Sequence, residues 1–128
     1  MESFSIEKKD NYTVVKSHVE KLDSRVSPEL KSNLVQVNSQ GERNIIIDLT
    51  DSRYCDSSGL SALLVANRLC RDAQGTMVLT GLQDSVKKLV SISQLDNVLN
   101  IVPSLDEAVQ LITQDETERE TGEDDQPA

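Results

Sequence analysis

The chain has 128 residues, the size of one ordinary domain. With aromatic residues at 2% and no Trp, it lacks the platforms on which single-stranded nucleic acids stack. The net charge of −9 sets it against direct contact with nucleic acid and with anionic membrane surfaces.

Read in chain order, residues 3–7 and 12–17 alternate as two strands. Lys8-Lys9-Asp10-Asn11 forms the turn between them, an N-terminal antiparallel hairpin. Ser27-Pro28-Glu29 opens a helix, with Ser27 as its cap, and Leu30, Leu34 and Val37 mark its apolar face. Gly41 falls in the loop that follows. Residues 44–49 hold the continuous run Ile45-Ile46-Ile47, the pattern of a strand covered on both faces. Asp48 places a carboxylate near that strand's C-terminal end, where open α/β sheets bind ligands.

Residues 56–72 read as a long helix that Gly75 terminates, followed by a strand over 76–80. Asp84 caps a helix carrying Val86, Leu89, Val90 and Ile92. Residues 99–102 form a short strand. Ser104 and Glu107 fit a reciprocal capping pair ahead of a last helix with Leu105, Ala108, Val109, Leu111 and Ile112. After residue 112 the apolar pattern stops. Residues 113–128 hold seven acids and one base and account for −6 of the net charge, the composition of a disordered acidic tail. The expectation is an α/β domain over residues 1–112, with a mixed β-sheet and helices mainly on one face, plus a tail over 113–128.

The longest apolar run is five residues, Ala62 to Ala66, so no membrane insertion is expected. Met1-Glu2-Ser3-Phe4 has neither a basic nor an apolar leader region, and a cytoplasmic location is expected. Cys55, Cys70 and His18 cannot supply a four-ligand metal cage, and the thiols read as small buried hydrophobes. No metal and no cofactor is expected.

The most informative segment is Tyr54-Cys55-Asp56-Ser57-Ser58-Gly59-Leu60, where hydroxyls and a carboxylate meet the start of a helix. Helix capping by Asp56 or Ser57 explains part of it. On a helical wheel Leu60, Leu63, Leu64 and Asn67 form the core stripe. The opposite side carries Ser58, Ser61, Ala62, Val65 and Leu69, small or apolar where a solvent face should be charged. Either a neighbouring helix, such as the one starting at Asp84, covers that side, or a partner docks there with Ser58 at its edge. Gly59 in the first turn either packs tightly against a strand or leaves room for an approach to Ser58.

These residues, from Asp48-Leu49 through Asp56-Ser57-Ser58-Gly59-Leu60-Ser61-Ala62-Leu63-Leu64, resemble the STAS family, its bacterial anti-sigma factor antagonist branch above all. Leu22-Asp23, Val26, Pro28-Glu29-Leu30, Gly75-Thr76-Met77-Val78-Leu79 and Val86-Lys87-Lys88-Leu89 extend the resemblance over residues 4–112. Glu20 departs from it, standing where many members have Gly. The resemblance implies a non-enzymatic switch. The unphosphorylated protein binds an anti-sigma factor serine kinase and releases a sigma factor. Phosphorylation of Ser58 abolishes binding, and a serine phosphatase restores it. The resemblance and the helical wheel together give partner contacts by Asp23, Asp56, Ser57, Ser58, Gly59, Ser61, Ala62 and Val65, and the resemblance implies control of transcription in a stress response as the setting. The alternative is a STAS subunit of a lipid or solute transport complex that binds an ATPase subunit. An enzyme is disfavoured, because no Gly-x-Ser-x-Gly elbow and no phosphate-binding Gly-Lys-Ser/Thr loop occurs.

Overall fold

The Ile45-Ile46-Ile47 run fixes the layering. Alternate side chains of a strand point to opposite faces. Ile45 and Ile47 join the larger core cluster, and Ile46 joins a second cluster with Val14, Val78, Ala108 and Ile112. A computed structural model describes residues 2–122. In chain order the elements are β1 (Phe4–Lys8), β2 (Thr13–Ser17), β3 (Lys21–Leu22), α1 (Ser27–Ser39), β4 (Ile45–Asp48), β5 (Tyr54–Cys55), α2 (Ser57–Asp72), β6 (Met77–Thr80), α3 (Asp84–Ile92), β7 (Asn100–Val102) and α4 (Leu105–Gly122).

The main sheet has the order β1-β2-β4-β6-β7. β1 and β2 form the expected antiparallel hairpin, and the other neighbours pair in parallel. Helices α1, α2 and α3 supply Leu30, Leu34, Leu63, Ala66, Val86 and Val90 to the larger cluster on one face. On the other face α4 alone supplies Ala108 and Ile112. The mixed sheet with helices mainly on one face is therefore present.

Three local details differ from the sequence reading. Ser27 is the first helical residue and not the cap; Val26 occupies that place without a side-chain cap bond. The Ser27 hydroxyl instead donates to the Asp23 carbonyl at 2.7 Å. Asp84 likewise starts α3 behind an uncapping Gln83. Beyond α2, Gln74 and not Gly75 takes the left-handed conformation, at φ 64°. Gly75 serves a close approach, since a Cβ there would lie 1.9 Å from the Arg43 carbonyl oxygen.

The acidic segment departs most from expectation. Helix α4 continues to Gly122, so residues 113–122 are helical where composition predicts disorder; residues 123–128 lie outside the described residues. The cause is a polar hub at the N-terminal ends of β4 and β6. Glu116 accepts hydrogen bonds from Arg43 at 2.6 Å, Asn44 at 2.8 Å and Arg119 at 2.8 Å. The Thr76 hydroxyl donates to Asp115 at 3.1 Å, and Arg119 also contacts Thr76. Asn44 is buried. Its amide group donates to Asn11 and Glu116, and its oxygen accepts from the Thr76 amide. Burial opposes ionisation of Glu116, but the bonds from Asn44 and Arg43 and the charges of Arg43 and Arg119 outweigh it, holding the carboxyl below its usual range.

Glu116→Ala leaves these donors unpaired and should destabilise the fold by about 1–2 kcal/mol. The measurement is a fall in the urea midpoint with an unchanged slope. Glu118→Ala, on an exposed position of the same helix, should stay within about 0.5 kcal/mol of the parent.

Candidate functional site

The chain leaves β4 through Asp48, whose carboxylate is engaged locally. Its Oδ1 accepts from the Thr50 amide at 3.0 Å and the Thr50 hydroxyl at 2.6 Å. The carboxylate that sequence placed at a ligand-binding strand end thus shapes a turn. The segment after it is stitched to residues 17–22. Buried Ser52 shares a 2.7 Å bond with Ser17 and donates to the Val19 carbonyl. The amides of Arg53 and Tyr54 donate to the Glu20 carbonyl. β3 and β5 then pair in parallel, Lys21 with Tyr54 and Leu22 with Cys55. This two-stranded sheet escaped the sequence reading, because two residues carry no periodicity.

The Asp56 amide donates to the Leu22 carbonyl at 3.2 Å, and Asp56 caps α2 as the sequence suggests. Its Oδ1 accepts three hydrogen bonds, from the Ser58 amide at 3.0 Å, the Gly59 amide at 3.0 Å and the Ser58 hydroxyl at 2.6 Å. The Ser58 hydroxyl bond, then the Gly59 amide bond, hold the Asp56 carboxyl below its usual range, against desolvation and the opposing charge of Asp23. Asp56 is therefore ionised near neutrality, and the Ser58 proton is committed to it. The lone pairs of the Ser58 oxygen remain for other partners. Ser57 is exposed and Ser58 half-buried.

Asp23 reaches the same place through Ser27. The buried Ser27 hydroxyl lies 3.4 Å from the Ser58 hydroxyl while donating to the Asp23 carbonyl. The Asp23 carboxylate accepts from the Arg25 amide at 3.0 Å. It also accepts from the Arg25 guanidinium, through Nη2 at 2.8 Å and Nε at 3.2 and 3.3 Å. The guanidinium bond holds the Asp23 carboxyl below its usual range. The structure thus brings Asp23, Asp56, Ser57 and Ser58 together. Sequence reasoning missed Ser27 and Arg25. Ser27 read there as a cap, and Arg25 carried no signal.

Two residues expected on the docking face belong to the interior. Gly59 is buried, and a Cβ on it would lie 2.3 Å from the Leu22 carbonyl oxygen and 2.8 Å from Cys55 Sγ. Of its two readings, tight packing against a strand holds. Ala62 is fully buried in the larger core cluster. Helix α1, rather than α3, lies along that side of α2, and small side chains let the two pack closely. Ser61 and Val65 stay half-buried, so the accessible edge is Ser57, Ser58, Ser61 and Val65. Leu64 and Asn67, placed in the core stripe, are also only half-buried.

Burial pushes the Cys70 thiol up to about 12, and burial together with the Asp56 charge does the same for Cys55. Both are protonated near neutrality and inert. His18 bonds Ser5 at 2.8 Å, so its ring is engaged on the β1–β2 hairpin rather than with Ser58. Among the described residues no group of three His, Cys, Asp or Glu is placed to hold a metal. No helix among them is long and apolar enough to cross a membrane.

The STAS domain family model matches residues 3–108. The anti-sigma-B factor antagonist of Listeria monocytogenes is 31% identical over 80 residues, which cover 62% of this chain and 70% of that relative. Among solved structures, the Bacillus cell fate determinant SpoIIAA in its phosphorylated form aligns with a TM-score of 0.67 at 20% identity, over 85% of this chain and 98% of that one. A sulfate transporter family protein from Wolinella succinogenes aligns with a TM-score of 0.69 at 17% identity, over 87% and 89%.

Gly59→Ala should destabilise the fold by about 1–3 kcal/mol through overpacking. The sign is opposite to the gain that Ala brings inside an unobstructed helix. Calorimetry or urea unfolding checks it. Asp56 has a folded value below its ordinary 3.8, so its stabilisation is complete above that value and fades as pH falls through the folded one. Between about pH 5 and 2 the parent should therefore lose stability more steeply than Asp56→Asn, as read from urea midpoints at each pH.

Proposed function

We propose that this chain, which belongs to the STAS domain family in its anti-sigma factor antagonist branch, is a cytoplasmic partner switch controlled by phosphorylation of Ser58. The observation that carries the reading is the Ser58 hydroxyl itself. It stands half-buried at the entrance to α2, with its proton held by Asp56 at 2.6 Å. The unmodified protein binds an anti-sigma factor serine kinase and thereby frees a sigma factor. The docking surface is Ser57, Ser58, Ser61 and Val65 together with the loop around Asp23.

In the kinase the Ser58 oxygen attacks the γ-phosphorus of ATP. The new ester bond forms as the bond to the ADP oxygen breaks, and the hydroxyl proton leaves to a base. Phosphoryl transfer passes through a loose transition state, so the transfer asks chiefly for an oriented oxygen and little of a base. Asp56 meets that need. Its depressed range makes it a weak base but a firm anchor. The product carries about −1.5 to −2 charges beside Asp56 and Asp23. A partner surface complementary to a neutral hydroxyl is repelled by that charge. A serine phosphatase returns the hydroxyl by hydrolysis. The protein's part is binding and not catalysis, and it needs no cofactor.

Two findings support this reading, the name of the Listeria relative and the fact that one structural neighbour was solved phosphorylated. The neighbour from the sulfate transporter family motivates the second reading, a STAS subunit bound to a transport complex.

Intact-mass analysis with site mapping decides between them. Mixed with ATP and the anti-sigma kinases of its own cell, the chain should gain one phosphate on Ser58, and Ser58→Ala should gain none. Ser58→Ala should bind the kinase constitutively. Ser58→Asp should bind at least about tenfold more weakly, a difference of 1.4 kcal/mol. Equal affinities of the two variants, or no phosphate from any kinase, would leave the transport reading in its place.

A further inference from the structure

We propose that Arg25 is a phosphate-responsive latch, its guanidinium holding Asp23 while Ser58 is unmodified and moving to the phosphate once Ser58 is phosphorylated. The inference rests on the Ser58 reading above and adds to it a second, structural consequence of the modification.

A phosphate on Ser58 finds few free donors on its own helix. Helix N-termini ordinarily bind such groups through their first-turn amides. Here the amides of Ser58 and Gly59 already donate to Asp56. Esterification also removes the hydroxyl proton that bonds Asp56 at 2.6 Å, turning an attraction into the repulsion of two anions. The Asp23 carboxylate adds to that repulsion, since its charge is felt at Asp56. The phosphate therefore stands against the Asp56 carboxylate, on which the Asp23 charge also acts, and needs a cation.

Arg25 is placed to supply it. The buried Ser27 hydroxyl spans the 3.4 Å to the Ser58 hydroxyl and the 2.7 Å to the Asp23 carbonyl, which brings the Asp23–Arg25 turn against Ser58. The Arg25 side chain is 75% exposed while Asp23 is 15% exposed, so the guanidinium lies on the solvent side of the pair and is free to swing. An exposed ion pair is weakly held, whereas a guanidinium fork on a dianionic phosphate gains charge and bidentate geometry. Lys21 is the competing cation, because its charge also acts on Asp23. Its single ammonium lacks the fork. Transfer of Arg25 leaves Asp23 without its partner, so phosphorylation changes the β3–α1 loop as well as Ser58 itself.

The test installs phosphoserine at position 58 during translation, by amber suppression, so that no kinase is involved. Phosphorus NMR then follows the second ionisation of the phosphate with pH. A neighbouring cation favours the dianion and lowers that pKa. The expected result is a pKa about one unit lower in the parent than in Arg25→Gln, with Lys21→Gln close to the parent and Arg25→Lys between. Identical values in the parent and Arg25→Gln overturn the proposal, as does a rise in Lys21→Gln alone. Arg25 is exposed, so Arg25→Gln should keep the parent's amide spectrum, which confirms that the fold is compared like with like. Failure of every kinase to modify Ser58 would sink the switch reading without changing these titrations, and unchanged titrations would sink the latch without touching the switch.

Discussion

The absence of one carbon atom organises the site. Because Gly59 has no Cβ, the first turn of α2 closes onto the Leu22 carbonyl and Cys55, a space that a methyl group would fill. That contact joins two segments far apart in sequence, the end of β3 and the start of α2. It adds to the bonds from Ser52, Arg53, Tyr54 and Asp56 that hold β3 and β5 together. Two residues on each side make a sheet too short to hold by its own hydrogen bonds. The glycine lets the helix press the two strands together, and the turn carrying Asp23, Arg25 and Ser27 is delivered to Ser58 as a result. The helix loses intrinsic propensity at this position and gains a junction in exchange.

Once the junction exists, the electrostatics follow from how few donors it contains. Asp56 takes the amides of Ser58 and Gly59 together with the Ser58 hydroxyl, and Arg25 takes Asp23. In the unmodified state each acid thus has a partner, and the surface around Ser58 presents a neutral hydroxyl. A single added phosphate disturbs this balance out of proportion to its size, because it consumes a donor as well as adding charge. On the proposed reading the same feature suits the site to a two-state signal. The charge at one oxygen and the loop beside it carry that state, and the core beneath them need not change.

Much of this architecture is legible in the residues. The Ile45-Ile46-Ile47 run announces a strand buried on both faces, and its side chains divide between the two core clusters. Asp56 two residues before Ser58 announces a cap, and the cap is present. What periodicity cannot show is which element lies beside which. Helix α2 is apolar on two sides, and sequence could not tell a docking surface from a helix–helix seam. With α1 alongside, Ala62 becomes core. Gly59 had two even readings because its neighbour, the Leu22 carbonyl, lies on a strand too short to be seen. The acidic segment misleads for a related reason. Its mean composition signals disorder, but Glu116 and Asp115 find Arg43, Asn44 and Thr76, residues far from them in sequence that only the closed sheet brings near.

The two polar clusters sit at opposite ends of the same strands and answer to opposite demands. At the N-terminal ends of β4 and β6, Asn44, Thr76, Glu116 and Arg119 bond one another in a network. Such networks rigidify a fold when their groups are satisfied. Beyond the C-terminal end of β4, the Ser58 oxygen keeps lone pairs unspent and Arg25 keeps an exposed guanidinium. That end is where open α/β sheets place their binding sites, because the strands deliver loops and helix N-termini there together. Anchoring α4 at the closed end also keeps the helix seated on the sheet face opposite α2, so the proposed charge change at Ser58 falls among loop residues and away from this seam.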